Sequence, residues 1–250
     1  MKKILIVMSL FISYSFIPSD NALIGYWKFN EGAGNILINS APNAAGTNAI
    51  NNGATWDVSP FGKCLKFVRT SSQFASCALS PINLQTGTPM TLSAWINTSN
   101  ANLMTVMADW NVSVTPGWEF TINEFTAGKI DLLFTNSVGS AYFGRKGSIN
   151  VNDGTWRHVV ATYDGSNAFT GIKLYMNGVL ETMVDISNAT WTTAFSNNTD
   201  FRIGCRKLSG ANNQFFDGKM ALPMIWKRAL TAQEVQQLYA DGLNKIKENN

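Results

Sequence analysis

The 250-residue chain has one histidine, His158, in the stretch NDGTWRHVVATYDGSNAFTGIKLYMNGVL, residues 152–180. A Trp, an Arg and a Tyr-Asp-Gly stand close by. Imidazole exchanges protons near neutrality, so a catalytic cluster is the first chemistry to weigh. A histidine base needs a nucleophile or a carboxylate within hydrogen-bond reach. The chain contains no G-x-S-x-G elbow and no Cys–His signature. Zinc would need carboxylate or thiolate ligands beside that single His, and none has ligand spacing. The second candidate is a pair of carboxylates, Glu119 and Glu124 in WEFTINEF, with Thr121 between them. On a regular strand residues five apart point to opposite faces, about 17 Å from each other. Glycosidases hold their two carboxyls roughly 5–9.5 Å apart. Neither candidate supports catalysis, and no catalytic residue is assigned.

The elements that hold these residues are strands. TWRHVVATYDG puts Trp156, His158, Val160 and Thr162 on one face and Arg157, Val159, Ala161 and Tyr163 on the other. In IKLYMNGVL the Asn177-Gly178 pair suits a tight hairpin turn. MTLSAWINT places Leu92, Ala94 and Ile96 opposite Thr91, Ser93 and Trp95. LIGYWKFN, GWEFTIN, KIDLLFTN, SAYFGRK, FRIGCR and GKMALPMIW continue the series, separated by Gly, Asn and Ser. Strands at this spacing predict a β-sandwich or barrel. Pro223 in the last run predicts an edge position or a bulge. RALTAQEVQQLYADGL alone reads as a helix, with a Thr231/Glu234 capping box and Gly242 as its stop.

Three cysteines, Cys64, Cys77 and Cys205, leave an odd number. Pairing KCLKFV with QFASCAL about the RTSS turn sets Cys64 opposite Cys77, where a disulfide is geometrically conceivable. Buried thiols are the alternative. The N-terminus, MKKILIVMSLFISYSFIPSD, has two lysines before an apolar run too short to span a bilayer comfortably. That layout predicts a signal peptide over residues 1–22, with a retained anchor as the alternative. One domain is expected over 23–243, then a flexible tail over 244–250. Charged residues make up 14% of the chain, against roughly 25% in ordinary globular proteins. Polar Asn, Ser and Thr take their place, as suits an extracellular β-protein. A net charge of +3 without a basic run gives no sign of nucleic-acid binding.

The blocks LIGYWKFNEGAG, GKCLKF, TLSAWIN, NDGTWRHVVATYDG, IKLYMNGVL, FDGKM and IWKRALTAQEVQQLY stand in the order found in LamG-like jelly-roll domains. The chain thus resembles the laminin G/pentraxin-type members of the concanavalin A-like superfamily over nearly its whole mature length. The resemblance implies an all-β fold, a two-sheet antiparallel jelly-roll sandwich with a short C-terminal helix. It makes Trp27, Trp95 and Trp156 core residues and the Asp-Gly pairs turns. It implies a binding module for glycans or proteins, without enzymatic activity, and in several members a calcium ion at the rim. At the matching positions Asn30 and Glu31 replace the family's acidic pattern, and Ala221-Leu222 replace its Asp-Glu pair. Calcium is therefore left open and no metal residues are assigned.

Trp110, Trp118 and Trp191, with Asn111 beside Trp110, lie outside the hallmark positions. Loops at the end of a sandwich are where recognition is built. These four residues are the expected ligand contacts, against the alternative that each Trp fills a gap in the core. The expected partner is a glycan or a surface protein, at the cell or virion surface.

Overall fold

The computed structural model describes residues 20–44, 47–77, 87–112, 115–135, 141–187 and 201–248. Two sheets pack face to face. The first, here the helix-covered sheet, runs β14 (Val179–Leu180), β13 (Ile172–Met176), β12 (Trp156–Tyr163), β7 (Met90–Asn97), β19 (Gly218–Trp226), β5 (Gly62–Phe67) and β4 (Thr55–Ser59). Strand β1 (Leu23–Tyr26) also pairs with β19. The second, the open sheet, runs β15 (Val184–Ser187), β11 (Tyr142–Lys146), β10 (Ile130–Thr135), β9 (Thr115–Ile122), β8 (Met104–Val112), β16 (Phe201–Ile203), β6 (Phe74–Cys77), β3 (Ala49–Asn52) and β2 (Ile36–Leu37). A small hairpin, β17 (Arg206–Leu208) and β18 (Ala211–Asn213), joins the end of β8.

Alternation along the strands fills the space between the sheets. Leu92, Ala94 and Ile96 meet Trp118, Phe120 and Ile122 from the opposite sheet in one apolar cluster. Trp27 stacks on Phe201 at 5.4 Å between centroids. Val159, Ala161 and Tyr163 point into this interior, while Trp156, His158 and Val160 face out, as the pattern of β12 predicts. At the tip of the β13–β14 hairpin Asn177 and Gly178 take positive φ (51° and 79°). The Asn177 side chain also accepts from the His158 amide at 2.9 Å.

Helix α1 (Ala232–Glu248) lies on the outer face of the helix-covered sheet. Its capping box is present: the Thr231 amide donates to Glu234 Oε2 at 2.7 Å and the Glu234 amide to Thr231 Oγ1 at 3.3 Å. The helix does not stop at Gly242. It continues to Glu248, taking in most of the segment expected to be a loose tail. The reason is packing. A side chain at Gly242 would sit 2.5 Å from the Trp95 ring, so glycine lets the helix pass over it, and Lys245 donates to the Tyr26 hydroxyl at 3.1 Å.

Of two further expectations one is met and one corrected. Pro223 sits in a bulge, one of the two positions expected for it, where the register shifts between Ala221 and Met224 and Leu222 takes φ 52°, and β19 is a central strand. The runs around RTSS do not pair with each other. β5 belongs to the helix-covered sheet and β6 to the open one. The turn between them is a short 3-10 segment whose Arg69 guanidinium donates to the Leu103 and Phe215 carbonyls, 2.5 and 3.1 Å away, and carries the chain from sheet to sheet. Cys64 and Cys77 thus fall in different apolar clusters and are not bridged. Burial pushes the Cys64 and Cys205 thiols up to about 11 and 12, which keeps them protonated.

Candidate functional site

The outer face of the open sheet carries polar side chains that have been taken out of water. In β9 the interior residues are Trp118, Phe120 and Ile122. Glu119 and Thr121 therefore point outward, yet they are only 1% and 0% exposed. In β10 Asp131 pairs in register with Thr121 and Lys146, and it too is 0% exposed.

Two segments cover this face. After Ile122 the strand ends, and Asn123 takes φ 71°, folding the chain back. Its side chain accepts from the Gly128 amide, which closes the turn. Lys146 donates to Thr126 Oγ1 at 2.9 Å, and Phe125 meets Tyr142 at 5.5 Å between ring centroids. The second cover is the β17–β18 hairpin. Arg206 Nη1 reaches Glu119 Oε1 at 2.7 Å, and its guanidinium lies over the Trp110 ring at 4.8 Å. Asn111 Oδ1 accepts from the Gly210 amide at 2.9 Å and pins the hairpin turn. The Thr105 amide donates to the Gln214 carbonyl at 2.9 Å just beyond it.

This geometry changes the relation between Glu119 and Glu124. The regular-strand separation does not apply, because the turn at Asn123 returns Glu124 toward the sheet. Glu119 now feels the field of Glu124, and both feel that of Arg206, while Gln214 hydrogen-bonds Glu124. Burial pushes Glu119 up to about 7, with Arg206 pulling down and Glu124 pushing up. Burial pushes Asp131 up to about 8, opposed by a weak hydrogen bond from the Glu124 backbone amide and by Lys146, and reinforced by the charges of Glu124 and Glu119. Burial raises Glu124 as well, against the pull of Arg206. Glu119 Oε2, Glu124 Oε2, both Asp131 oxygens and Thr121 Oγ1 are buried without a hydrogen bond of regular geometry. Acids held near neutral pKa suit general acid–base chemistry. With the cover in place, however, a substrate has no path to Glu119 or Asp131.

The expected ligand residues fall in different places. Trp118 lies wholly inside the sandwich, tilted against Phe201, and offers no surface to a ligand. Trp110 sits at the rim of the covered face, 7% exposed, with Arg206 on its ring. Asn111 is committed to the hairpin turn. Trp191 lies outside the described residues. The sequence reading does not single out Asp131; alternation along KIDLLFTN is the signal that could have placed it on an outward face, but its burial depends on segments outside that strand, and the role of Arg206 on pairing far along the chain. Asp217 accepts from Asn100 Nδ2 at 2.6 Å, and Glu31, at one of the family's acidic positions, accepts from the Ile38 amide at 2.9 Å. Among the described residues no three His, Cys, Asp or Glu side chains converge to hold a metal ion.

His158 lies on the opposite side of the molecule. It is 1% exposed, lies 5.0 Å from the Trp95 ring and 6.1 Å from the Tyr239 ring, and shares a 2.9 Å hydrogen bond between Nε2 and Ser93 Oγ. Burial drives its pKa down to about 3. The cleft beside it, lined by Trp95, Leu238 and Asp241, encloses about 10 Å³, room for one water.

Solved structures share this architecture. The binding domain of Paraclostridial Mosquitocidal Protein 1 aligns with a TM-score of 0.65 at 16% identity, over 87% of this chain and 52% of that one. The botulinum neurotoxin serotype D binding domain gives 0.64 at 14% identity, over 88% and 51%. This chain thus spans about half the length of those domains. Domain 4 of AbnA, an extracellular GH43 arabinanase from Geobacillus stearothermophilus solved with arabinotriose, gives 0.62 at 16% identity, over 87% and 98%. No curated protein sequence matches the chain. A family model does: residues 71–236, more than half of the chain, match the laminin G type 3 model. The protein belongs to the concanavalin A-like lectin/glucanases superfamily.

Proposed function

We propose that the protein is a non-catalytic binding module that recognises a glycan, and that it does so at the rim where Trp110, Arg206 and the β17–β18 hairpin meet. The observation that carries this reading is the Trp110–Arg206 stack, 4.8 Å apart and fixed from below by the buried Glu119 carboxylate. The indole and the held guanidinium reach the rim only by narrow edges, 7% exposed for Trp110 and 12% for the Arg206 side chain, and a sugar would meet those edges as an apolar contact beside fixed donors. Around it β8, β10, β15 and β6 end at the same end of the open sheet, as their registers require. The likeness to an arabinanase domain solved with arabinotriose and to toxin binding domains supports a binding role over a catalytic one. The arabinanase that carries one of these similar domains is extracellular, which favours an extracellular location; among the described residues no helix is long and apolar enough to cross a membrane.

The test is a glycan array with and without EDTA, run on the wild type and on Arg206→Ala, Trp110→Ala and Trp191→Ala, with folding checked by circular dichroism. Binding lost in the folded variants supports the reading. Unchanged binding in all three contradicts it. The EDTA arm reads calcium dependence in the same experiment.

A second reading, adhesion to a surface protein, is favoured by one feature. Strands β14 and β15 lie at the edges of their sheets and expose Val179 (64%), Leu180 (49%) and Val184 (54%). Loss of partner capture on Val184→Lys with no array response would favour it.

A further inference from the structure

We propose that the turn Asn123–Lys129 and the β17–β18 hairpin form a proton-operated cover over the outer face of the open sheet. It is closed while Asp131 and Glu124 beneath it hold protons and loosens as they ionise, with Glu119 paired to Arg206 in the closed state. The inference concerns the cover itself and stands whatever the module binds.

The geometry sets up an excess of acceptors. Five oxygens are buried under the cover without a regular hydrogen bond: Glu119 Oε2, Glu124 Oε2, Asp131 Oδ1 and Oδ2, and Thr121 Oγ1. The donor left over on Arg206 is Nε. Lys146 is engaged by Thr126. Burying a carboxylate without a partner is costly, and the usual relief is to hold a proton. A carboxylic acid supplies the missing O–H donor and removes the charge in one step.

The charged groups from each neighbouring element agree with this. Glu119 comes from β9, Glu124 from the turn, Asp131 from β10, Lys146 from β11 and Arg206 from β17. Arg202 on β16 is directed to Phe74 and Asn212. Asp109 on β8 is in register with Trp118 and so belongs to the inner face. Three acids thus face two cations. Fully ionised, they leave an excess negative charge out of water. The rise of all three pKa values by burial has the same cause.

Beyond the short pairing of β17 with the end of β8, the cover is fastened by local bonds: Gly128 to Asn123, Gly210 to Asn111, Arg206 to Glu119, Lys146 to Thr126, Asn123 Nδ2 to the Asn102 carbonyl, the Val151 amide to the Gly128 carbonyl and the Thr105 amide to the Gln214 carbonyl. None reaches into the interlayer core, so the cover can lift while the sandwich stays folded. In the lifted state the acids return to water and to their ordinary pKa values. The closed state therefore binds more protons than the open one, and raising the pH favours opening.

Hydrogen exchange on the full chain tests this at pH 6 and pH 9, corrected for intrinsic exchange, reading the Gly128, Lys129 and Gly210 amides against β7 and β12. Protection at the three cover amides is expected to fall by about tenfold or more in the wild type, with the core strands unchanged. In Asp131→Asn, which mimics the protonated acid, the fall should be at most about twofold. Should that variant not fold, Glu124→Gln is read the same way. Three results overturn the proposal: equal protection at both pH values, loss in the core strands as large as in the cover, or an undiminished loss in the neutralised variants.

Discussion

The two outer faces of this sandwich solve the same problem differently. Each sheet has one face in the interlayer core and one that must meet water or a cover. On the helix-covered side, α1 seals a lone histidine among aromatic rings, with Nε2 bonded to Ser93 and only Nδ1 and the nearby Asp241 Oδ2 unanswered. On the open side, a short hairpin and a turn seal three acids, a threonine and an arginine with several polar atoms unanswered. Apolar packing buries a neutral imidazole cheaply, because the neutral ring loses little on leaving water. Carboxyls with surplus oxygens tie stability to proton uptake and leave the surface above them ready to change. The first face is architecture; the second is where function is proposed.

The largest way to break this contrast is to remove its aromatic supports. Trp95→Ala should cost about 3–5 kcal/mol in chemical denaturation, as large core deletions do, and Trp118→Ala a similar amount. Binding by whatever Trp95→Ala stays folded should be unchanged, since Trp95 lies under α1.

Next come the opposite pH limbs. His158 has a folded pKa of about 3, below its ordinary 6.5. Its contribution is complete above pH 6.5 and is lost at about 1.4 kcal/mol per pH unit as the pH falls toward 3. His158→Leu should flatten that acid limb. Asp131 has a folded pKa of about 8, above its ordinary 3.8. Its contribution is complete below pH 3.8 and declines as the pH rises through 8. Asp131→Asn should flatten the decline above pH 6.5 and, because its window of 3.8 to about 8 overlaps that of His158 with opposite slope, steepen the acid limb. Urea titrations across pH 4–9 read both.

Smaller effects sharpen the picture. Gly117 lies under the bulge of β8, where an added Cβ would stand 2.7 Å from Trp110 Cβ. Gly117→Ala should shift Trp110, weaken binding and cost about 1–3 kcal/mol. Glu234→Ala removes half of the capping box and also a carboxylate held by Arg228 at 2.7 Å. It should lower stability by about 1 kcal/mol without touching binding.

Much of the fold was legible because its signals are local. Alternation fixed the faces of β7 and β12, Asn177-Gly178 marked a turn and Thr231/Glu234 marked the start of a helix. What failed was non-local. Nothing within KCLKFVRTSSQFASC says that Arg69 anchors a crossing between sheets instead of a hairpin. Gly242 reads as a stop unless Trp95 is known to lie beneath it. The site was legible only at Trp110 and Asn111, and for a different reason than expected: their partners are Arg206 and Gly210, distant in sequence. Glu119 was noticed and set aside, because a regular strand was assumed where Asn123 turns the chain back.

The most direct test compares ligand binding by Arg206→Ala and His158→Leu, both confirmed folded, on the glycan that the wild type selects from an array. Recognition on the open side predicts that Arg206→Ala loses at least about tenfold in affinity, a loss of about 1.4 kcal/mol, while His158→Leu binds as the wild type does. Wild-type affinity in Arg206→Ala, with binding lost in His158→Leu, would place recognition beneath the helix and contradict the account.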